Sequence, residues 1–178
     1  MDLQILDWIR ENIYCDWLTP AMALFSWMGE GAAFWLLLCG VLLWRKDSRR
    51  YAVAALLAML LSLLLCNLAL KPLVARPRPF LPGEDAVLPV LRTGDYSFPS
   101  GHASASFAAA IALSGWRRWG RILFPLLAAC IAFSRLYFYL HYPGDVLAGA
   151  LLGTALSWPA LWMAGRLQQK WPCFFDPS

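Results

Sequence analysis

The chain has two histidines, and each sits in a dense run of polar residues within an otherwise apolar sequence. His102 ends Pro99-Ser100-Gly101-His102. His141 lies in Ser134-Arg135-Leu136-Tyr137-Phe138-Tyr139-Leu140-His141-Tyr142-Pro143-Gly144-Asp145, and a third cluster, Lys71-Pro72-Leu73-Val74-Ala75-Arg76-Pro77-Arg78-Pro79, precedes both. Two imidazoles that exchange protons near neutral pH, several fixed cations and one carboxylate form a set suited to handling phosphate.

Each cluster has its own chemistry. Ser100 is a good helix N-cap with a run of small residues behind it, so Gly101 and His102 fall in the first turn of a helix. Free N–H groups and the positive end of the helix dipole make such a turn a holder of anions. Pro143 and Gly144 favour a break between two helices, which holds His141 at a junction. Asp145, four residues on, is close enough to accept a hydrogen bond from one ring nitrogen, fix the tautomer and raise the nucleophilicity of the other. Lys71, Arg76 and Arg78 put three cations within eight residues, with planar forked donors from arginine and a point charge from lysine. Arg135 lies near a membrane boundary, where an unpaired guanidinium is costly and so is a functional candidate. Taken singly, the clusters have plainer readings: a lysine snorkelling to the interface, a capping serine before a core histidine, an interfacial histidine with a capping aspartate.

Jointly, Lys71, six residues, Arg78-Pro79; then Pro99-Ser100-Gly101-His102; then Ser134-Arg135, five residues, His141, three residues, Asp145 resemble the three-part signature of the type 2 phosphatidic acid phosphatase family. These are membrane lipid phosphatases related to vanadium haloperoxidases. The resemblance implies a metal-independent phosphatase without cofactor. By it, His141 attacks phosphorus, Asp145 supports His141, and His102 protonates the leaving oxygen and later activates water. Lys71, Arg78, Ser100, Gly101 and Arg135 would hold the equatorial oxygens. Arg76, an extra cation in the variable stretch of the first motif, is assigned a substrate contact. The substrate implied is a lipid phosphate, with undecaprenyl diphosphate leading and phosphatidylglycerophosphate, phosphatidate and lipid A phosphates as alternatives. A vanadium haloperoxidase and a non-catalytic lipid binder or transporter are the rivals. The apolar spans argue for a lipid substrate over a halide, and a simple binder would not need both histidines. No nucleic-acid partner is expected.

The elements that must position these residues are membrane helices. Of 178 residues 60% are hydrophobic and the mean hydropathy is +0.54, well above the roughly 45–50% apolar usage of soluble domains. Tyr51 to Leu70 and Val146 to Gly165 each supply the roughly 20 uncharged residues of a span. Gly31 to Trp44 is a third crossing, because Gly29-Glu30-Gly31 breaks the apolar stretch and leaves Pro20 to Met28 lying shallowly. Ser100 to Trp116 and Arg121 to Leu140 complete five. The family's usual six would need Pro20 to Met28 counted as embedded. The small residues of the fourth span, and Gly149 and Gly153 in the last, suit close helix packing. The expected fold is thus an all-α integral membrane bundle of five to six transmembrane segments in one domain, residues 1–178, with an amphipathic interfacial helix at Met1 to Asn12. No signal peptide is evident there.

Charge sets the orientation. Arg45, Lys46, Arg49, Arg50, Arg117, Arg118, Arg121, Arg166 and Lys170 belong inside by the positive-inside rule. The N-terminus, Lys71 to Pro99 and His141 to Asp145 then lie outside, so all three polar clusters meet at the extracytoplasmic face of a bacterial-type plasma membrane. Cys15 and Cys173 fall on opposite sides and no disulfide is expected.

Overall fold

The computed structural model describes residues 1–79 and 95–175; residues 80–94, within the Lys71 to Pro99 connection, and 176–178 lie outside the described residues. Among the described residues every regular element is helical. Helix α1 (Asp2–Asn12) is followed by α2 (Thr19–Gly29), which turns through Glu30–Ala32 into α3 (Ala33–Trp44). Helix α4 (Arg49–Ser62) continues through a π-helical stretch, Leu63–Leu70, into α5 (Lys71–Val74). Then come α6 (Gly101–Ser114), α7 (Gly120–Tyr137), α8 (Pro143–Lys170) and the short α9 (Pro172–Phe175).

Among the described residues four segments are long and apolar enough to cross a bilayer: Thr19–Trp44, Lys46–Val74, Gly120–Tyr137 and Pro143–Lys170. The fifth expected span is α6, which has 14 residues and covers about 21 Å at 1.5 Å per residue, short of the roughly 30 Å hydrocarbon layer. The break expected at Gly29-Glu30-Gly31 is present, with φ of 55° at Gly31 and 57° at Ala32. Helix α2 packs on α7, so it is part of the bundle. On α1, Leu6 and Ile9 are buried against the bundle, whereas Leu3, Ile5 and Trp8 are exposed.

Helix α6 is the axis of the fold and packs against α4, α7 and α8. It can do so because Ala103, Ala108, Ala109, Ala110 and Ala112 are all fully buried and occupy little volume. Lipid tails are as apolar as leucine, so close packing and interhelical hydrogen bonds supply the association that water exclusion gives soluble proteins. Both are visible: Trp35 Nε1 donates to Ser106 Oγ at 3.0 Å, and the Ser62 and Ser104 hydroxyls pair at 2.7 Å. On α8, a Cβ at Gly149 would come 2.5 Å from the Ser100 carbonyl, and one at Gly153 would collide with the Ser104 carbonyl and lie 2.9 Å from Ala108 N. Both glycines therefore mark where the α8 backbone meets α6.

Candidate active site

The approach of α8 to α6 also joins the starts of the two helices. Ser100 N donates to the Asp145 carbonyl at 3.0 Å, which draws the second motif against the third. Ser100 caps α6, its Oγ accepting from Ala103 N at 3.4 Å. That leaves the Gly101 and His102 amides as first-turn donors without an intrahelical acceptor. Gly101 packs against Asn67, and a Cβ there would lie 2.7 Å from Asn67 Oδ1.

His141 sits in the α7–α8 connection, just after Tyr139 with its φ of 57°, and is almost wholly buried. Its Nδ1 lies 2.8 Å from the Ser97 carbonyl and its Nε2 lies 3.1 Å from Arg78 Nη1. A carbonyl only accepts and a guanidinium only donates. These two partners therefore demand the neutral tautomer with the proton on Nδ1 and the lone pair on Nε2. Burial pushes the ring's pKa down to about 3; Arg78 and Arg135 act in the same direction and Asp145 opposes them.

Asp145 supports this arrangement partly through another residue. Its Oδ2 is 3.7 Å from His141 Nδ1, beyond hydrogen-bond range, and accepts instead from the Ser97 hydroxyl and, at 3.0 Å, from Tyr142 N. Ser97 thus faces the histidine with its carbonyl and the aspartate with its hydroxyl. Asp145 Oδ1 accepts from Arg76 Nη1 at 2.6 Å; Arg76 Nη2 reaches Asp2 Oδ2 at 2.8 Å, and the guanidinium lies 3.9 Å from the Tyr142 ring centroid. Arg76, expected at the substrate, is here bound to two carboxylates and ties α1 to the start of α8.

Lys71 and Arg78 share one carboxylate. Lys71 Nζ and Arg78 Nη2 both donate to Asp95, and Arg78 Nε donates to the Asp95 carbonyl at 3.0 Å. The Asp95 carboxylate therefore bridges the two cations as a phosphoryl group would, from a position 42% exposed. Arg135 is fully buried; its Nη1 donates to Ser26, while Nε and Nη2 have no partner. A buried guanidinium with two idle nitrogens is costly unless an anion completes it. Lys71, Arg78, Gly101 and His102 line a cavity of about 420 Å³ together with Glu30, Asp95 and the leucines Leu36, Leu56, Leu60 and Leu63. A lining that combines cations with leucines suits an amphipathic phosphate.

Residues 51–169 match the model of the PAP2 superfamily. The chain belongs to that family. A lipid A 4′-phosphatase of Bacteroides thetaiotaomicron is 38% identical to this PAP2 chain over 128 residues, 67% of this chain and 56% of that protein. An undecaprenyl-diphosphatase of Sulfolobus acidocaldarius is 32% identical over 124 residues, 69% and 60% of the two. The crystal structure of Aquifex aeolicus LpxE superposes with a TM-score of 0.69 at 28% identity, covering 90% of this chain and 94% of that one. The PAP2 chain thus spans less than two thirds of the length of the two curated relatives.

His102, His141, Asp145, Lys71, Arg78, Ser100, Gly101 and Arg135 are legible in the three motifs. Ser97, Asp95 and Asn67 are not. Asn67 lies one turn before Lys71 in the π-helical stretch, lines the cavity and has a buried Oδ1 without partner. A polar side chain within a run of leucines was its only signal, since an isolated polar residue in a span faces protein or a cavity. Ser97 and Asp95 carried no signal, for both act through tertiary contacts to residues 17 to 48 positions away in sequence.

Proposed function

We propose that this chain is an integral membrane phosphatase that removes the terminal phosphate of a lipid phosphate or diphosphate through a phosphohistidine on His141. The observation that carries the reading is the trapped tautomer: Nε2 holds a lone pair against Arg78, and Arg78 itself lines a cavity with Lys71 and His102. In the first step His141 Nε2 forms a bond to phosphorus while the bond to the leaving oxygen breaks, and His102 gives that oxygen a proton. In the second, His102 takes a proton from water, the water oxygen bonds phosphorus and the N–P bond breaks, releasing inorganic phosphate. Lys71, Arg78, Arg135 and the Gly101 and His102 amides hold the phosphoryl oxygens, where positioned donors are worth most because charge develops there. Substrate entry displaces Asp95 from its two cations. Asp145 and Ser97 keep the nucleophile oriented. No step calls on a metal, and among the described residues no three His, Cys, Asp or Glu side chains converge as ligands.

The substrate proposed is undecaprenyl diphosphate, turned over at the extracytoplasmic face of a bacterial-type plasma membrane; the Sulfolobus relative and the orientation set by basic residues support this. A lipid A phosphate is the second reading, favoured by the Bacteroides relative. Phosphate release by the purified protein from undecaprenyl diphosphate, lipid A, phosphatidylglycerophosphate and phosphatidate decides between them. The highest kcat/KM should fall on the diphosphate, in chelator as in buffer. Preference for lipid A would select the second reading, and release from none of the four would overturn both.

A further inference from the structure

Glu30 belongs to none of the three clusters, yet the chain around it is shaped to meet one of them. The α2–α3 corner places two consecutive residues, Gly31 and Ala32, in the left-handed region. An L-alanine occupies that region only where surrounding structure imposes it. On the near side of the corner, Gly29 packs directly on His102: a Cβ there would lie 2.6 Å from His102 Cδ2 and 2.7 Å from Ile131 Cγ2. With no side chain at residue 29, the next residue can reach the ring. Glu30 Oε2 lies 3.4 Å from His102 Nε2.

Both of those atoms are shielded from solvent and neither has any other hydrogen-bond partner. A buried carboxylate oxygen and a buried ring nitrogen without partners are each unfavourable. Their separation exceeds the roughly 2.7–2.9 Å of a closed charge-assisted bond. Glu30 and His102 both line the cavity that holds Lys71 and Arg78. The pair therefore stands open beside the place where a phosphoryl group would lie.

We infer that Glu30 is the positioning residue of His102: its carboxylate accepts the Nε2–H bond, fixes the ring plane and leaves Nδ1 facing the leaving oxygen and later the water. This rests on the phosphatase reading above, in which His102 is the acid and then the base. Glu30 stays ionised throughout. The proton that leaves His102 with the first product returns from the attacking water, so the balance is unchanged by its presence. Each histidine then has its own carboxylate, Asp145 for the nucleophile and Glu30 for the acid.

The test compares Glu30→Gln with wild type on phosphatidate, whose alkoxide leaves poorly, and on p-nitrophenyl phosphate, whose phenolate leaves without help. A general acid contributes roughly 10²- to 10⁴-fold, so loss of its orientation should lower kcat on phosphatidate about 10- to 100-fold with KM within about threefold. The nitrophenol burst that reports phospho-enzyme formation should keep its rate within about threefold, followed by slow turnover. In a His102→Ala background, Glu30→Gln should change kcat by less than about twofold. A burst rate that falls as much as kcat on phosphatidate, no loss of kcat on either substrate, or an undiminished effect without His102 would each overturn the assignment. If Glu30→Gln fails to fold, Glu30→Asp replaces it with the same criteria. Wild-type protein that releases no phosphate from any lipid sinks the phosphatase reading itself; an active wild type matched by Glu30→Gln sinks only the role of Glu30.

Discussion

A buried histidine that acts as a nucleophile must be neutral and must present the correct nitrogen. Here two partners impose both conditions on His141: the Ser97 carbonyl accepts a hydrogen bond from Nδ1–H and the Arg78 guanidinium donates to Nε2. The imidazolium form would have to point a proton at a guanidinium from a site closed to water. The depression to about 3 has a consequence with a definite sign. Between pH 6.5 and 3 the unfolded chain binds a proton that the folded chain refuses, so stability attributable to this residue is undiminished above pH 6.5 and falls as pH drops toward 3. In ¹⁵N-histidine spectra of the purified protein at pH 5, His141 should show one protonated Nδ1 and one bare Nε2, where an ordinary histidine is mostly doubly protonated. Two protonated ring nitrogens at that pH would remove the nucleophile from the proposed mechanism. The sequence alone made His141, Asp145 and their spacing legible, because four residues across a Pro-Gly junction bring the two together whatever the rest of the fold does. It could not show Ser97 between them, since that contact exists only once the segment before Pro99 closes against α8.

At the scale of elements, α6 must be slim and α8 must lie against it, because their first turns carry the motif residues. The small residues of α6 and the glycines of α8 were readable as a packing stripe, and the structure uses them so. Less readable was the length of α6: its uncharged run continues past Ser114, but the helix stops there and α7 starts at Gly120. The π-helical stretch was also invisible in sequence, since its leucines fit any helix; such stretches often mark functional sites. Gly153→Leu should be strongly destabilising, because backbone atoms of α6 cannot move aside for a side chain. Overpacking typically costs about 1–3 kcal/mol and occasionally more, and this site belongs at the upper end. Thermal unfolding in detergent should show Tm lowered by several degrees or the loss of monodisperse protein. Gly40→Leu is the control, for nothing lies within 4 Å of a Cβ at that position. Equal stability of both variants would mean that α6 and α8 do not meet as described.

The whole molecule has two chemically distinct ends. At one, Asp47 binds Arg117 and, at 3.5 Å, Arg45, while Arg49 donates to the Phe174 carbonyl, so both basic loops and the C-terminal segment gather there. At the other lie Lys71, Arg78, His141 and Asp145, with α1 tied down through Asp2 to Arg76 and Asp7 to Tyr139. Of the 15 lysines and arginines, nine lie in the segments assigned inside; of the others, Lys71, Arg76 and Arg78 pair with carboxylates and Arg135 is buried beside Ser26. The orientation proposed from the positive-inside rule, with the basic end inside, turns the cavity outward. Cysteine accessibility tests this once the five native cysteines are replaced. Tyr96, 46% exposed beside the cavity's Asp95, is the probe for the motif end, since most of the loop from Glu84 to Asp95 lies outside the described residues. Ser48 is buried, with its hydroxyl donating to the Leu42 carbonyl at 2.7 Å, so exposed Arg118 is the better probe of the basic end. Tyr96→Cys should react with a membrane-impermeant maleimide added to intact cells, and Arg118→Cys only after lysis. The reverse pattern would open the cavity to the cytoplasm, and a diphosphate lipid released on the outer leaflet could no longer reach His141.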